Sequence, residues 1–162
     1  MMRQLLRYCL IGFVTLAAGC GFQLRGQAPL PAVFATPYLE SSDRYTPLYA
    51  ALESRLRAAG ARPAVDKLSA SAVIHLDQDE TGRALLSVSA RNTPGEFEVY
   101  YTAGYSVTAG GSELLARQQV TLTRDFGYDE TAVLAKEHEE QSLRAALADE
   151  LAGMILRRLA AL

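Results

Sequence analysis

The sequence predicts an α+β fold: a two-layer sandwich in which a mixed four-stranded sheet carries two helices on one face, in the order β-α-β-β-β-α. Three observations predict it. A short apolar segment precedes a helix with clear start and stop signals. A central block alternates polar and apolar residues between glycine-containing turns, which is typical of an antiparallel meander. The chain ends in a long amphipathic segment, and both helices need a sheet face on which to bury their apolar stripes.

The first strand is expected near residues 32–39, in the apolar run AVFATPYL. Pro37 should confine this strand to a sheet edge or end it early, because proline cannot donate to a sheet ladder. The first helix is expected at 47–59, where Thr46 can cap the N-terminus and Gly60 can end it. A strand-helix-strand succession favours a right-handed crossover between parallel strands.

The central block predicts three antiparallel strands. The clearest spans 96–108, between the turn sequences RNTPGE and AGGSE. Its alternation places on one face Phe97, Val99, Tyr101, Ala103, Tyr105 and Val107. The strand before it, at about 72–90, contains DQDETG, which we interpret as a hairpin turn. The strand after it, at about 113–126, is expected to have on its apolar face Leu114, Ala116, Val120, Leu122 and Phe126.

The tail predicts a long helix that Asp129 or Thr131 can cap. Its apolar stripe is expected to consist of Leu143, Ala146, Leu147, Leu151, Met154, Ile155 and Leu159. Gly153 lies within this stripe and is a candidate for a close packing point. The helices should cover one face of the sheet, so the opposite face, which carries Tyr100 and several Thr and Ser residues, should stay polar.

Residues 1–19 have the pattern of a secretory signal peptide: an arginine-containing start, an apolar run too short to span a bilayer, and small residues before a cleavage site. Cys20 follows directly, and the order leucine, small residues, cysteine resembles the lipobox of bacterial lipoproteins, although Leu16 stands one place further away than usual. The alternative is a plain secreted protein with a free thiol, which would be a liability in an oxidising compartment.

The lipobox implies a thioether-linked diacylglycerol and an acyl chain on Cys20, and no other cofactor is expected. One acyl chain gives only marginal membrane binding, whereas three chains anchor a protein stably. Residues 20–31, rich in glycine and proline, would then form the lipidated cysteine and its tether. Residues 32–162 would form a single α/β domain.

Charge and motif content exclude several classes of function. The net charge of −2 argues against a nucleic-acid binder. There is no glycine-rich phosphate loop and no GxSxG elbow, and the two histidines are not spaced as zinc ligands. DQDETG begins like a calcium loop, but Val88 stands where the bidentate glutamate is needed. We therefore predict no catalytic residue and no metal ligand.

The mature chain resembles one family. GCGFQLRG at a lipoprotein N-terminus, then TPLYAALESRLRAAG, a three-stranded meander and AVLAKEHEEQSLRAALADELAGMILRRL are similar to LptE, the lipoprotein of the outer-membrane lipopolysaccharide translocon. The resemblance covers nearly all of the mature chain. It implies a non-enzymatic protein, anchored by lipid to the inner leaflet of a Gram-negative outer membrane. Such a protein would plug the LptD β-barrel in a one-to-one complex, assist its assembly and bind lipopolysaccharide.

The resemblance, together with side-chain chemistry, supplies candidate site residues. Phosphates need Lys or Arg, so Arg91 in the turn ARNTPGE and Lys136 in VLAKE are candidates for binding lipopolysaccharide; solvated surface charge is the alternative for both. Tyr100 is a candidate for the barrel interface, because tyrosine offers a large contact area at low entropic cost, or else simply packs on the sheet. Phe22 and Arg25, from GCGFQLRG, are further interface candidates.

Two other classes of function stay open at the level of sequence. One is a lipid-anchored periplasmic binding or scaffold protein for another envelope partner. The other is a lipoprotein whose enzymatic site has degraded or escapes recognition.

Overall fold

The structure, a computed structural model, describes residues 29–90 and 92–162. Its helices and strands follow the predicted order β-α-β-β-β-α. They are β1 (Pro37–Ser41), α1 (Pro47–Ala58), β2 (Ala72–Val88), β3 (Pro94–Ala109), β4 (Ser112–Gly127) and α2 (Val133–Leu159), with short 3₁₀ helices at Ala32–Phe34 and Glu130–Ala132. The predicted signal peptide (1–19) and residues 20–28 of the predicted tether (20–31) lie outside the described residues.

The four strands form one sheet in the spatial order β1-β2-β3-β4. β1 pairs with β2 in parallel, and the two other pairs are antiparallel. Both helices lie on one face, so the predicted mixed sheet in a two-layer sandwich is confirmed. Although α2 has 27 residues, no helix in the described part of the chain is both long and apolar enough to cross a membrane.

The first strand begins later than the sequence predicts. Residues 32–34 form a 3₁₀ helix instead, in which Phe34 N donates to Pro31 O at 2.9 Å. This turn places the Phe34 side chain in the core, where it is 1% exposed. Pro37 then opens β1 at the sheet edge, as expected of a residue without an N–H donor.

Helix α1 has the predicted signals. Thr46 Oγ1 accepts a hydrogen bond from Tyr49 N at 3.1 Å and so caps the N-terminus. The helix ends one residue earlier than predicted, and Gly60 follows with a φ of +90°. Three leucines spaced four residues apart are fully buried against the sheet and α2: Leu48, Leu52 and Leu56.

The interpretation of DQDETG as a hairpin turn is wrong. β2 continues through it, and a β-bulge absorbs one extra residue, Asp77, between the pairs Leu76–Tyr105 and Gln78–Gly104. The physical reason is the length of the neighbouring strand. Because β3 runs without interruption for 16 residues, β2 keeps its ladder hydrogen bonds by bulging, whereas a turn would lose them.

The predicted inner face of β4 is wrong near the start of the strand, because β4 contains a second bulge. Tyr105 pairs with Gln118 but Val107 pairs with Leu115, so β4 contains one residue more than β3 across this step. The extra residue reverses the alternation. Leu115 is consequently buried at 5% exposure, whereas the predicted Leu114 is 41% exposed and Ala116 also faces solvent.

The buried stripe of α2 is rotated relative to the prediction. Ala146 is exposed, whereas Ala148, Ala152 and Leu156 are buried beside the predicted leucines. The cause is the neighbouring helix: α2 packs against α1 as well as against the sheet, which shifts the buried face toward the alanines. Gly153 is also buried, and a Cβ there would lie 3.5 Å from Arg55 Cζ, an ordinary contact.

Candidate functional site

Of the candidate residues named from the sequence, the structure describes Lys136 and Tyr100, and these two lie on different faces of the sheet. Cys20, Phe22, Arg25 and Arg91 lie outside the described residues. Lys136 lies near the start of α2, on the helical layer, whereas Tyr100 projects from the opposite face of the sheet.

Lys136 forms an ion pair and is only partly exposed to solvent. Its Nζ lies 2.8 Å from Glu139 Oε2, and its side chain is 23% exposed. Hydrogen bonds from Thr131 lower the pKa of nearby Asp129, and the positive charge of Lys136 contributes to the same effect. An incoming anion would therefore compete with Glu139 for this ammonium group.

Tyr100 both packs on the sheet and is accessible. Its ring lies over Gly82 of the neighbouring strand: a Cβ at position 82 would come within 2.6 Å of Tyr100 Cζ. The residue nevertheless remains 36% exposed. Tyr100 therefore packs against Gly82 on the open face and remains accessible to solvent or to a partner.

The open face of the sheet is lined by polar side chains that bond to one another across strands. Thr102 Oγ1 lies 2.9 Å from Thr121 Oγ1, and Arg117 Nε donates to Asp77 Oδ2 at 2.6 Å. The same face carries Tyr100, Ser106, Thr108, Gln119 and Thr123. This surface can accept and donate hydrogen bonds over the length of three strands.

The contacts of His75 with Glu40 and Thr108 extend this polar face to β1. His75 Nδ1 lies 2.5 Å from Glu40 Oε2, and its Nε2 lies 3.0 Å from Thr108 Oγ1. A hydrogen bond from Lys67 is the main cause that lowers the pKa of Glu40. Among residues 29–90 and 92–162, no three histidine, cysteine or acidic side chains converge as metal ligands would.

A charged cavity that was not predicted from the sequence lies between β2 and α2. Its volume is about 410 Å³, and its lining residues are Arg83, Glu137, Glu140, Gln141 and Arg144. Glu140 lies between two guanidinium groups: Arg83 Nη1 lies 2.8 Å from its Oε2, and Arg144 contacts its Oε1. The side chain of Glu140 is only 11% exposed, so this carboxylate depends on both arginines for its solvation.

An aromatic ring beside the cavity holds one of its arginines in place. Arg83 Cζ lies 4.8 Å from the centroid of the Phe97 ring, a cation–π contact. Phe97 in turn packs against Phe126 and, edge-on, against Tyr128. The spacing of Glu140 and Arg144, four residues apart on one helix, was visible in the sequence. The contact with Arg83, 57 residues away in the chain, depends on strand register and was not.

Comparison with known proteins places this architecture among envelope lipoproteins. Residues 34–159 match the family described as LptE, lipopolysaccharide-assembly. A curated relative, the LPS-assembly lipoprotein LptE of Pectobacterium atrosepticum, is 30% identical over 90% of this chain and 79% of its own length. The corresponding protein of Yersinia enterocolitica is 29% identical over 98% of this chain and 77% of its own length.

Two solved structures are similar. The solution structure of lipoprotein B from Nitrosomonas europaea superimposes with a TM-score of 0.71 at 26% identity, covering 87% of this chain and 91% of the other. The crystal structure of rare lipoprotein B from Shewanella oneidensis gives a TM-score of 0.68 at 28% identity, covering 78% and 94%.

Proposed function

The chain belongs to the LptE family of lipopolysaccharide-assembly lipoproteins, and from that membership we propose that it plugs an LptD-type β-barrel in the outer membrane and binds lipopolysaccharide there. The resemblance stated from the sequence is thereby confirmed at the level of the family. The protein is a non-enzymatic lipoprotein of the Gram-negative envelope with a role in lipopolysaccharide assembly.

The observation that carries the proposal is the polar open face of the sheet. Cross-strand contacts such as Thr102–Thr121 and Arg117–Asp77 hold the polar side chains of this face in place. A face that only met water would not need its side chains to be ordered in this way. The interior of an outer-membrane barrel is itself polar. A rigid polar face of three long strands offers complementary hydrogen-bonding groups to such a wall, with Tyr100 as an accessible aromatic contact.

The lipid anchor belongs to the same proposal. Acylation of Cys20 with a diacylglycerol and an acyl chain would hold the domain at the inner leaflet of the outer membrane, through the tether at 20–31. Mass spectrometry of the mature N-terminus tests this directly. Acylated Cys20 supports the anchor, and a mature protein with an unmodified cysteine would contradict it.

Co-purification tests the barrel partner. The full-length protein, extracted from membranes in detergent, is expected to purify with a large β-barrel protein at a one-to-one ratio. A Tyr100→Asp variant should reduce the recovered barrel, because it adds a charge to the proposed contact face. Tyr45→Asp is the matched control, since Tyr45 is 97% exposed outside the sheet. Recovery of the wild type without any barrel would contradict the plug.

Lipopolysaccharide binding is tested with the two basic candidates. Changing both Arg91 and Lys136 to Asp should weaken binding of lipopolysaccharide by the purified protein while leaving its thermal unfolding temperature nearly unchanged. Lys67→Asp is a suitable control because Lys67 pairs with Glu40 on a different part of the surface. Unchanged binding by the double variant would remove these two residues from the proposed site.

A further inference from the structure

We infer that Arg83 and Arg144 form a binding site for a phosphate group, and that Glu140 is the internal counter-ion which this phosphate displaces. The inference rests on the proposed function for the identity of the molecule that carries the phosphate, namely lipopolysaccharide. The site itself is defined by the cavity between β2 and α2.

The two guanidinium groups are already arranged around an oxyanion. Arg83 contacts one oxygen of Glu140 at 2.8 Å, and Arg144 contacts the other. They come from different layers, one from the sheet and one from α2, and converge on a single carboxylate. Two arginines that each bind one oxygen of the same anion form the clamp that a phosphate also accepts.

Most of the donors of this clamp have no hydrogen-bond partner among the residues that the structure describes. A guanidinium has five N–H donors, and each arginine contributes one of its nitrogens to Glu140 in the contacts described. The side chains of Arg83 and Arg144 are 46% and 31% exposed, and they line the cavity of about 410 Å³. A phosphate entering this cavity could therefore bind the free nitrogens first and take over the contacts of Glu140 afterwards.

The clamp itself carries a net positive charge. Glu140 offsets only one of the two guanidinium charges of Arg83 and Arg144, and the second is offset only when Glu137, elsewhere in the cavity lining, is included. Gln141 adds an uncharged amide to the cavity wall, while Glu137 opposes an incoming anion. The stacking of Arg83 on Phe97 holds its guanidinium in place without a phosphate, which lowers the entropic cost of binding.

A second ion pair between the sheet and α2 differs from the clamp in its charge balance and in its position relative to the cavity. Arg124 of β4 contacts Glu150 of α2 at 2.9 Å. This pair has one cation for one anion, and neither residue lines the cavity. It therefore provides a control for any general effect of removing an arginine that connects the sheet to α2.

The experiment uses the full-length protein in detergent. Affinity is measured for lipopolysaccharide and for lipopolysaccharide stripped of its phosphates, and inorganic phosphate is titrated by NMR. Arg83→Gln and Arg144→Gln should each weaken binding of the phosphorylated form by about tenfold, because each removes a charged hydrogen-bonding partner. Binding of the stripped form should not change. Arg124→Gln should bind both forms like the wild type.

The decisive variant is Glu140→Gln. If Glu140 competes with the phosphate, removing its charge should strengthen binding several-fold; Glu137→Gln should act in the same direction. If the cluster serves only to hold α2 on the sheet, Glu140→Gln should weaken binding or leave it unchanged, and the inference is overturned. Should an arginine variant fail to fold, Gln141→Glu replaces it: this change puts a carboxylate at the cavity and should weaken binding without removing either arginine.

Failure of this inference can be told apart from failure of the proposed function. If every variant binds phosphorylated lipopolysaccharide as tightly as the wild type, the phosphate lies elsewhere and the proposed function stands. If the wild type binds no lipopolysaccharide, but inorganic phosphate shifts the cavity resonances in a way that Arg83→Gln abolishes, the site stands and the proposed carrier is wrong. If neither ligand responds to the cavity variants, the site is refuted.

Discussion

Arg117 and Asp77 are joined across a strand to which neither belongs: Arg117 Nε of β4 donates to Asp77 Oδ2 of β2 at 2.6 Å, over the backbone of β3. Each residue lies at a β-bulge in its own strand, and Arg117 also donates to Gln78 Oε1 at 3.2 Å. Gly104 lies beneath the pair. The two bulges and the glycine therefore belong to one arrangement, which ties β2 and β4 together on the open face.

Replacing Gly104 should break this arrangement. A Cβ there would lie 2.5 Å from Asp77 Oδ1, 2.7 Å from Arg117 Nη2 and 2.8 Å from Gln78 Cβ, closer than real contacts allow. We expect Gly104→Ala to lower the free energy of unfolding by about 1–3 kcal/mol in urea titrations. Gly127→Ala is the control, because among the described residues other than its chain neighbours no atom lies within 4 Å of a Cβ at position 127. Equal effects of the two changes would contradict this account of the bridge.

Removing one hydroxyl should loosen the contact between α1 and the sheet. Tyr101 is 1% exposed; its OH donates to Asp79 Oδ1 at 2.7 Å and accepts from Leu48 N at 3.3 Å. Burial raises the pKa of this phenol, and the bond to Asp79 adds to the effect, so the donor stays protonated at ordinary pH.

We therefore expect Tyr101→Phe to lower the free energy of unfolding by about 1–3 kcal/mol, because it leaves the buried side of Asp79 without a donor. Tyr105→Phe provides the comparison: Tyr105 is also buried, but no hydrogen bond of its OH is found within the described residues. The two variants are compared by urea unfolding. A loss at position 105 as large as that at 101 would show that the hydroxyl bonds are not the cause.

The ion pair between the two helices should make stability depend on pH. Arg55 contacts both carboxylate oxygens of Asp149, and these hydrogen bonds lower the pKa of Asp149 and raise that of Arg55. A carboxyl group whose pKa is lower in the folded state stabilises the fold above its unfolded pKa, about 3.9. That contribution is lost as the pH falls through the folded value.

Asp149→Asn should therefore be less stable than the wild type at pH 7, by at most about 1 kcal/mol because the Asp149 side chain is 59% exposed. The gap should close as the pH is lowered from about 5 to 2, through the usual range of aspartate titration. Urea titrations of both proteins across this range measure it. A gap that stays constant with pH would exclude the titration of Asp149 as its source.

The sequence predicted the element order because each element carries its own local signals. Thr46 and Gly60 mark the limits of α1, and the alternation from Phe97 to Val107 marks the inner face of β3. Each of these signals depends only on residues within or directly beside the element concerned. The candidate site was predicted less well: Lys136 and Tyr100 lie on opposite layers, and the cavity at Arg83 and Glu140 was missed.

The errors share one physical cause, namely packing against a neighbouring strand or helix that is distant in the sequence. A β-bulge shifts the register of a strand by one residue, and its position depends on the partner strand, not on the residues of the bulged strand themselves. The sequence DQDETG has strong turn composition, yet the uninterrupted β3 beside it keeps it extended. Likewise, the rotation of α2 toward Ala148 and Ala152 follows from its contact with α1, which periodicity within α2 does not encode.

The bulge in β4 can be tested by a pair of neighbouring substitutions. Simple alternation predicts that Leu114 is in the core, whereas the structure buries Leu115 at 5% exposure and leaves Leu114 41% exposed. Leu115→Ala should therefore lower the free energy of unfolding by about 2–4 kcal/mol, since it removes buried methyl groups and leaves a cavity. Leu114→Ala should cost less than about 1 kcal/mol. Urea unfolding of both variants, with unchanged m-values, gives the comparison; the reverse ranking would mean that β4 alternates without a bulge and that Arg117 cannot reach Asp77 as described.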